Sequence, residues 1–144
     1  MDNSKKGILG ENFAIDILKK SGYQVSKRPL GKTGYDLEAS KNGKVLTIEV
    51  KTTKNLKGGI PDMHNTEFYE VDGRYHFVAD RLFIVRLNGD SVLRVDVLTK
   101  DDIDQYMDSH KVVTRIRTTK LDTAIKNEKI GKTFQFNNDL LIKI

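Results

Sequence analysis

A chain of 144 residues with 38% hydrophobic content is the size of a single domain around one core, burying roughly two-thirds of its unfolded surface. It has no cysteine, which excludes a disulfide framework and a thiolate zinc site, and its three scattered histidines do not replace them, so any metal it takes is a hard, oxygen-loving one. A formal net charge of +5 and a pI near 9.3 suit a polyanionic partner, because Lys and Arg gain affinity for phosphates by releasing condensed counterions.

The first residues, Met1 to Lys6, lack an apolar signal segment, and the longest strongly apolar run, Leu82-Phe83-Ile84-Val85, is far short of a membrane span. A soluble, intracellular and cytoplasmic chain is expected. Residues 4–21 read as a helix, since Ile8, Leu9, Phe13, Ala14, Ile17 and Leu18 approximate an i, i+3/i+4 apolar stripe, with Ser4 as its cap and Gly22 as its stop. Tyr23 to Ser26 is a short alternating strand, followed by Pro29 and the loop Gly31-Lys32-Thr33-Gly34. Gly34 to Ala39 and Thr47 to Lys51, joined through Ser40-Lys41-Asn42-Gly43-Lys44, read as the two arms of a β-hairpin.

Between Thr52 and Asp80 the pattern is poor. Lys54 to Gly59 is basic and glycine-containing, Pro61 breaks any element, and Gly73 interrupts the next stretch, so a mobile loop and then mixed structure are expected. Arg81 to Arg86 has the continuous apolar centre of a buried strand, and Asn88-Gly89-Asp90 turns it into a partner strand over Ser91 to Leu98. A short helix follows from Thr99 or Lys100, with Thr99 and Asp102 as a capping box and Ile103, Tyr106 and Met107 at helical spacing. Val112 to Arg117 reads as a strand, Leu121 to Lys129 as a helix or polar loop, and Phe134 to Ile144 as one or two strands. With no repeat or linker, residues 1–144 form one α/β domain, or α+β if the sheet is mostly antiparallel.

The chemistry lies in the hairpin. Side chains alternate along Thr47-Ile48-Glu49-Val50-Lys51, so Glu49 and Lys51 share one face while Ile48 and Val50 point the other way, and pairing of the arms brings Asp36 alongside Glu49. Phosphodiester hydrolysis needs neutralised charge on the attacked phosphate, a water made nucleophilic and a stabilised leaving oxygen, all of which Mg²⁺ supplies. Mg²⁺ keeps several waters, so Asp36, Glu49 and the carbonyl of Val50 suffice as protein ligands, with Mn²⁺ able to substitute. Lys51 would contact the phosphate or orient the water; as a general base it would have to be neutral, which neighbouring carboxylates oppose.

The plain alternative for Asp36 is an acid near a turn pairing with Lys32 or Lys51, although strands disfavour Asp. For Glu49 and Lys51 it is an exposed cross-strand pair contributing under about 1 kcal/mol. Glu38 shares a strand face with Asp36 and is either a supporting acid or a solvated strand end. Lys54, Lys57, Gly58 and Gly59 form a solvated loop that could also follow a nucleic-acid backbone. His64, His76 and His110 are read as surface or hydrogen-bonded groups, and Tyr69 and Tyr75 as packing residues.

Asp36 with Glu49-Val50-Lys51 resembles the PD-(D/E)XK nuclease superfamily, whose pattern is an acid on one strand and Glu-x-Lys on the next. Gly10-Glu11-Asn12-Phe13-Ala14 is similar to the Gly-Glu-x-x-Ala segment of many such nucleases, which implies an accessory role for Glu11 beside the metal. Gly34-Tyr35-Asp36-Leu37-Glu38 and Ile48 to Thr53 look most like the Mrr-like and DUF3883-type domains of prokaryotic defence and repair systems. The likeness covers residues 7–53, and Tyr35 stands where the superfamily's name has proline. It implies a restriction-endonuclease-like core, in which a helix precedes a central mixed β-sheet flanked by helices. It also implies a Mg²⁺-dependent DNA endonuclease in defence, restriction or repair. Double-strand cleavage would ask for a homodimer or a larger defence complex, and RNA is not excluded as substrate. The alternatives are a non-catalytic nucleic-acid-binding or interaction module on the same fold, and a structure-selective Holliday-junction nuclease.

Overall fold

A computed structural model describes residues 2–56, 59–107, 111, 112, 115–136 and 141–144. The first helix, α1 (Asn3–Lys20), is capped by Asp2, whose Oδ1 accepts the Lys5 amide at 2.8 Å, so Ser4 lies inside the helix rather than at its cap. Lys19 and Lys20 occupy its last turn, where cations suit the helix dipole, and Gly22 takes φ +94° just beyond it. The strands β1 (Gln24–Lys27), β2 (Leu37–Lys41) and β3 (Lys44–Thr53) form an antiparallel meander. The β2–β3 turn is Asn42-Gly43, with φ of 54° and 78°, the left-handed pair whose twist matches a two-residue hairpin.

The next segment is more ordered than its sequence suggests. β4 (Met63–His64) runs into a 3₁₀ turn (Asn65–Glu67), then β5 (Phe68–Val71) and β6 (Arg74–Phe77) pair around Asp72-Gly73. Gly73 therefore closes a hairpin instead of interrupting an element, both turn residues having positive φ. β7 (Arg81–Asn88) and β8 (Ser91–Thr99) form the expected hairpin, with Gly89-Asp90 as its two-residue loop. In α2 (Lys100–Asp104) both halves of the Thr99–Asp102 capping box are present. Val112 to Arg117 is not one strand: β9 (Lys111–Val112) pairs with β10 (Arg115–Ile116), and β10 also pairs with β4. Helix α3 (Thr119–Lys126) and β11 (Lys132–Gln135) follow, β11 beginning before the expected Phe134; residues 137–140 lie outside the described part. Residues 141–144 are not strand.

Among the described residues the main sheet has six strands in the order β1-β2-β3-β7-β8-β11, antiparallel throughout except for the parallel β3–β7 pair. The fold is thus a mixed α+β one. Ala14, Ile17 and Leu18 of α1 pack with Ile48, Phe83 and Val85 on one face of the sheet. Leu82 and Ile84 point to the other face, where Phe68, Phe77, Ile103 and Leu121 cover them. Fully burying each such large side chain contributes about 1.5–3 kcal/mol. Because Ile48 belongs to the α1 face, the pleat sends Glu49 and Lys51 to the opposite one. Gly10 lets α1 approach β3, since a Cβ there would overlap Thr52 Oγ1. Among the described residues no helix is long and apolar enough to cross a membrane.

Candidate active site

Asp36 stands one residue ahead of β2. Its amide donates to the Ile48 carbonyl at 2.8 Å, just past the Leu37–Ile48 pair, and its carboxyl neighbours that of Glu49. Arg28 braces this corner, donating its amide to the Asp36 carbonyl (2.9 Å) and its guanidinium to the Tyr35 carbonyl (3.1 Å). Asp36 Oδ2 accepts the Val50 amide at 2.8 Å. The amide and carbonyl of one strand residue point to the same side, so the Val50 carbonyl lies on the same strand edge, beyond the last β2–β3 pair.

Glu49 is 7% exposed, and its carboxyl is pushed up to about 9. Burial is the main cause, joined by repulsion from Asp36 and Glu67 and a hydrogen bond with Asp36, while Lys51 pulls the other way. Glu49 therefore favours its protonated form at neutral pH, beside Asp36. Lys51 is no exposed surface partner: its side chain is 13% exposed, with Nζ 3.7 Å from Glu49 Oε1 and donating to Glu67 Oε1 at 2.5 Å.

Glu67, which sequence reasoning did not single out, is the third acid of the group. It ends the 3₁₀ turn, its side chain is 8% exposed, and its Oε2 has no hydrogen-bond partner. Burial raises its pKa, opposed by Lys51 and by the nearby His64. The turn is held against the Asp36 corner. Gly34, at φ +91°, has no room for a Cβ beside Val78 and the Thr66 carbonyl, and the Val78 amide donates to the Glu67 carbonyl at 2.9 Å. No local pattern marks Glu67; only folding brings it to Lys51.

The other candidates are placed elsewhere. Glu11 lies on α1, the helix whose apolar side chains pack on the Ile48 face of β3, and it pairs with Lys27 at 3.8 Å. Glu38 accepts the Tyr35 hydroxyl at 2.7 Å. Tyr75 is a core residue, whereas Tyr69 is 45% exposed and stacks on His76. Lys54 is exposed, and Lys57, Gly58 and His110 lie outside the described residues. Arg86, fully buried, donates to Asp96 at 2.6 Å and to the Asn55 carbonyl at 2.9 Å, tying the end of β3 to β7 and β8.

Among the described residues no three His, Cys, Asp or Glu side chains gather tightly enough to cage a metal. The available donor set is two neighbouring carboxyl groups, Asp36 and Glu49, plus a strand-edge carbonyl. That set fits a hard divalent cation that keeps most of its own waters, because such an ion needs only one or two carboxylates and a carbonyl from the protein.

The family model described as Protein NO VEIN, C-terminal, matches residues 9–75, a span that includes Asp36, Glu49, Lys51 and Glu67. A UPF0102 protein of Caldicellulosiruptor bescii is 31% identical over 83% of this chain and 98% of its own length. A UPF0102 protein of Dictyoglomus thermophilum is 45% identical over 42% of this chain, an alignment spanning 53% of that relative. Among solved structures, a bacterial homing endonuclease superposes with a TM-score of 0.52 at 17% identity, covering 90% of this chain and 96% of its own. That likeness shows a shared restriction-endonuclease-like fold.

Proposed function

The chain belongs to the UPF0102 family, with a PD-(D/E)XK-like nuclease fold, and on that premise we propose that it is a divalent-metal-dependent endonuclease that hydrolyses DNA phosphodiester bonds. Defence, restriction or repair of prokaryotic DNA is the setting this reading implies. The observation that carries it is the placing of Asp36 on the Val50 amide next to the buried Glu49, with the Lys51 ammonium 3.7 Å from Glu49.

Asp36, Glu49 and the Val50 carbonyl would hold Mg²⁺, which when bound supplies positive charge to the phosphate and acidifies a water. Lys51 has three donors. One goes to Glu67, and the others remain to hold a phosphate oxygen in line for attack. The Asp36–Val50 hydrogen bond fixes the acid against the strand, so little reorganisation accompanies binding. The net positive charge of the chain favours the polyanion's approach.

Calorimetric titration with Mn²⁺ tests the metal site. The parent chain should bind and, at pH 7–8, release about one proton from Glu49. Asp36→Ala should abolish both heat and proton release. A parent that binds DNA but neither Mn²⁺ nor Mg²⁺ would instead be a nucleic-acid-binding module. Comparing linear, junction and single-stranded DNA as substrates then separates a general endonuclease from a structure-selective one.

A further inference from the structure

Glu67 is as buried as Glu49, yet the proposed metal site gives it no task. Its Oε1 is engaged by Lys51, the His64 amide faces the carboxylate, and Oε2 is buried with no hydrogen bond of good geometry. A buried acceptor left unpaired costs stability, and one that persists beside a reactive cluster points to a group supplied from outside. The donor set proposed for the metal, Asp36, Glu49 and the Val50 carbonyl, does not include Glu67. The remaining small donor is water.

We propose that Glu67 is the general base of the hydrolysis, its Oε1 fixing Lys51 and its Oε2 accepting a proton from the attacking water. This rests on the nuclease reading above. Lys51 lies between Glu67, at 2.5 Å, and Glu49, at 3.7 Å, so the cation that would hold the phosphate is one hydrogen bond from the free oxygen. The backbone keeps that oxygen in place: the Glu67 carbonyl accepts the Val78 amide, and the residue before it packs on Gly34, where no side chain fits. Burial raises the basicity of the carboxylate, and the charged groups facing it are Lys51 and Glu49 on β3 and His64 on β4.

In the step, water gives one proton to Glu67 Oε2 as its oxygen forms the bond to phosphorus. The bond from phosphorus to the leaving nucleoside oxygen breaks with its electron pair, and that oxygen takes a proton from solvent. Glu67 then returns its own proton to solvent, leaving one phosphate monoester and one hydroxyl.

The test uses the full chain, supercoiled plasmid and Mn²⁺ calorimetry. Glu67→Gln keeps an acceptor for Lys51 but takes no proton, so its single-turnover rate should fall on the order of 10²–10³-fold while Mn²⁺ affinity stays within about threefold. Glu67→Ala leaves a space beside Lys51, and added formate should restore its rate in a concentration-dependent way, which a purely structural role would not produce. The proposal is overturned if Glu67→Gln cuts within about threefold of the parent, if it loses Mn²⁺ binding, or if formate leaves the Ala variant unchanged. A parent that neither binds Mn²⁺ nor cuts DNA overturns the nuclease reading and this role together. A parent that cuts alongside an equally fast Glu67→Gln overturns the Glu67 role alone.

Discussion

Glu49→Gln should make the metal-free protein more stable at neutral pH, the opposite of what removing a buried, hydrogen-bonded acid usually does. The carboxyl titrates near 4.5 when exposed and near 9 when folded. A folded pKa raised in this way gives stability that is complete below pH 4.5 and is lost as pH rises toward 9, because only the folded state is obliged to keep the proton. At pH 7 the loss is ~1.36 × (7 − 4.5), about 3 kcal/mol, and it grows by about 1.4 kcal/mol per pH unit up to the folded pKa. Gln preserves the neutral form, and its amide can still donate to Asp36, so it escapes this loss.

Thermal unfolding of parent and variant from pH 4 to pH 9, without metal, reads the difference. The two should coincide near pH 4 and separate by about 10 °C at pH 7, taking about 2–4 °C per kcal/mol for a chain of this size. Millimolar Mn²⁺ should raise the midpoint of the parent and leave that of the variant unmoved. A stability difference that does not change with pH would refute the reasoning, since it would mean Glu49 ionises normally in the fold.

Lys51→Ala should abolish cleavage and also cost ~3 kcal/mol in urea unfolding, because it strips the cation from the buried Glu67 carboxyl. Arg86→Ala should destabilise by about 3–5 kcal/mol through the stranded Asp96 charge, again read by urea unfolding. Gly10→Ala should lower the thermal midpoint and weaken Mn²⁺ binding, because the added methyl pushes on Thr52 next to Lys51; an unchanged midpoint would show that α1 does not approach β3 this closely.

Local chemistry made several elements legible. Asn42-Gly43 and Gly89-Asp90 close the expected hairpins, and Thr99 with Asp102 caps α2, because each is specified by a few adjacent residues. The Asp72-Gly73 hairpin was obscured by its own side chains. Tyr69 and Val71 are exposed while Phe68, Tyr75 and Phe77 are buried, so apolar residues sit on both faces and erase the alternation. In the site, Asp36 and Glu49 could be paired by register alone. The Lys51–Glu67 contact could not, since it depends on a 3₁₀ turn folding back from a stretch with no period of its own. The depth of Lys51 was equally hidden, because its burial comes from the elements that cover that face of the sheet.

Cleavage of supercoiled plasmid DNA by the purified chain, with Mg²⁺ or Mn²⁺ and with excess chelator, tests the central claim most directly. The account predicts nicked or linear product only when metal is present, and none from Asp36→Ala at matched concentration and fold. Asp36→Ala cutting as fast as the parent, or a parent that binds the metal and leaves every DNA substrate intact, would contradict it.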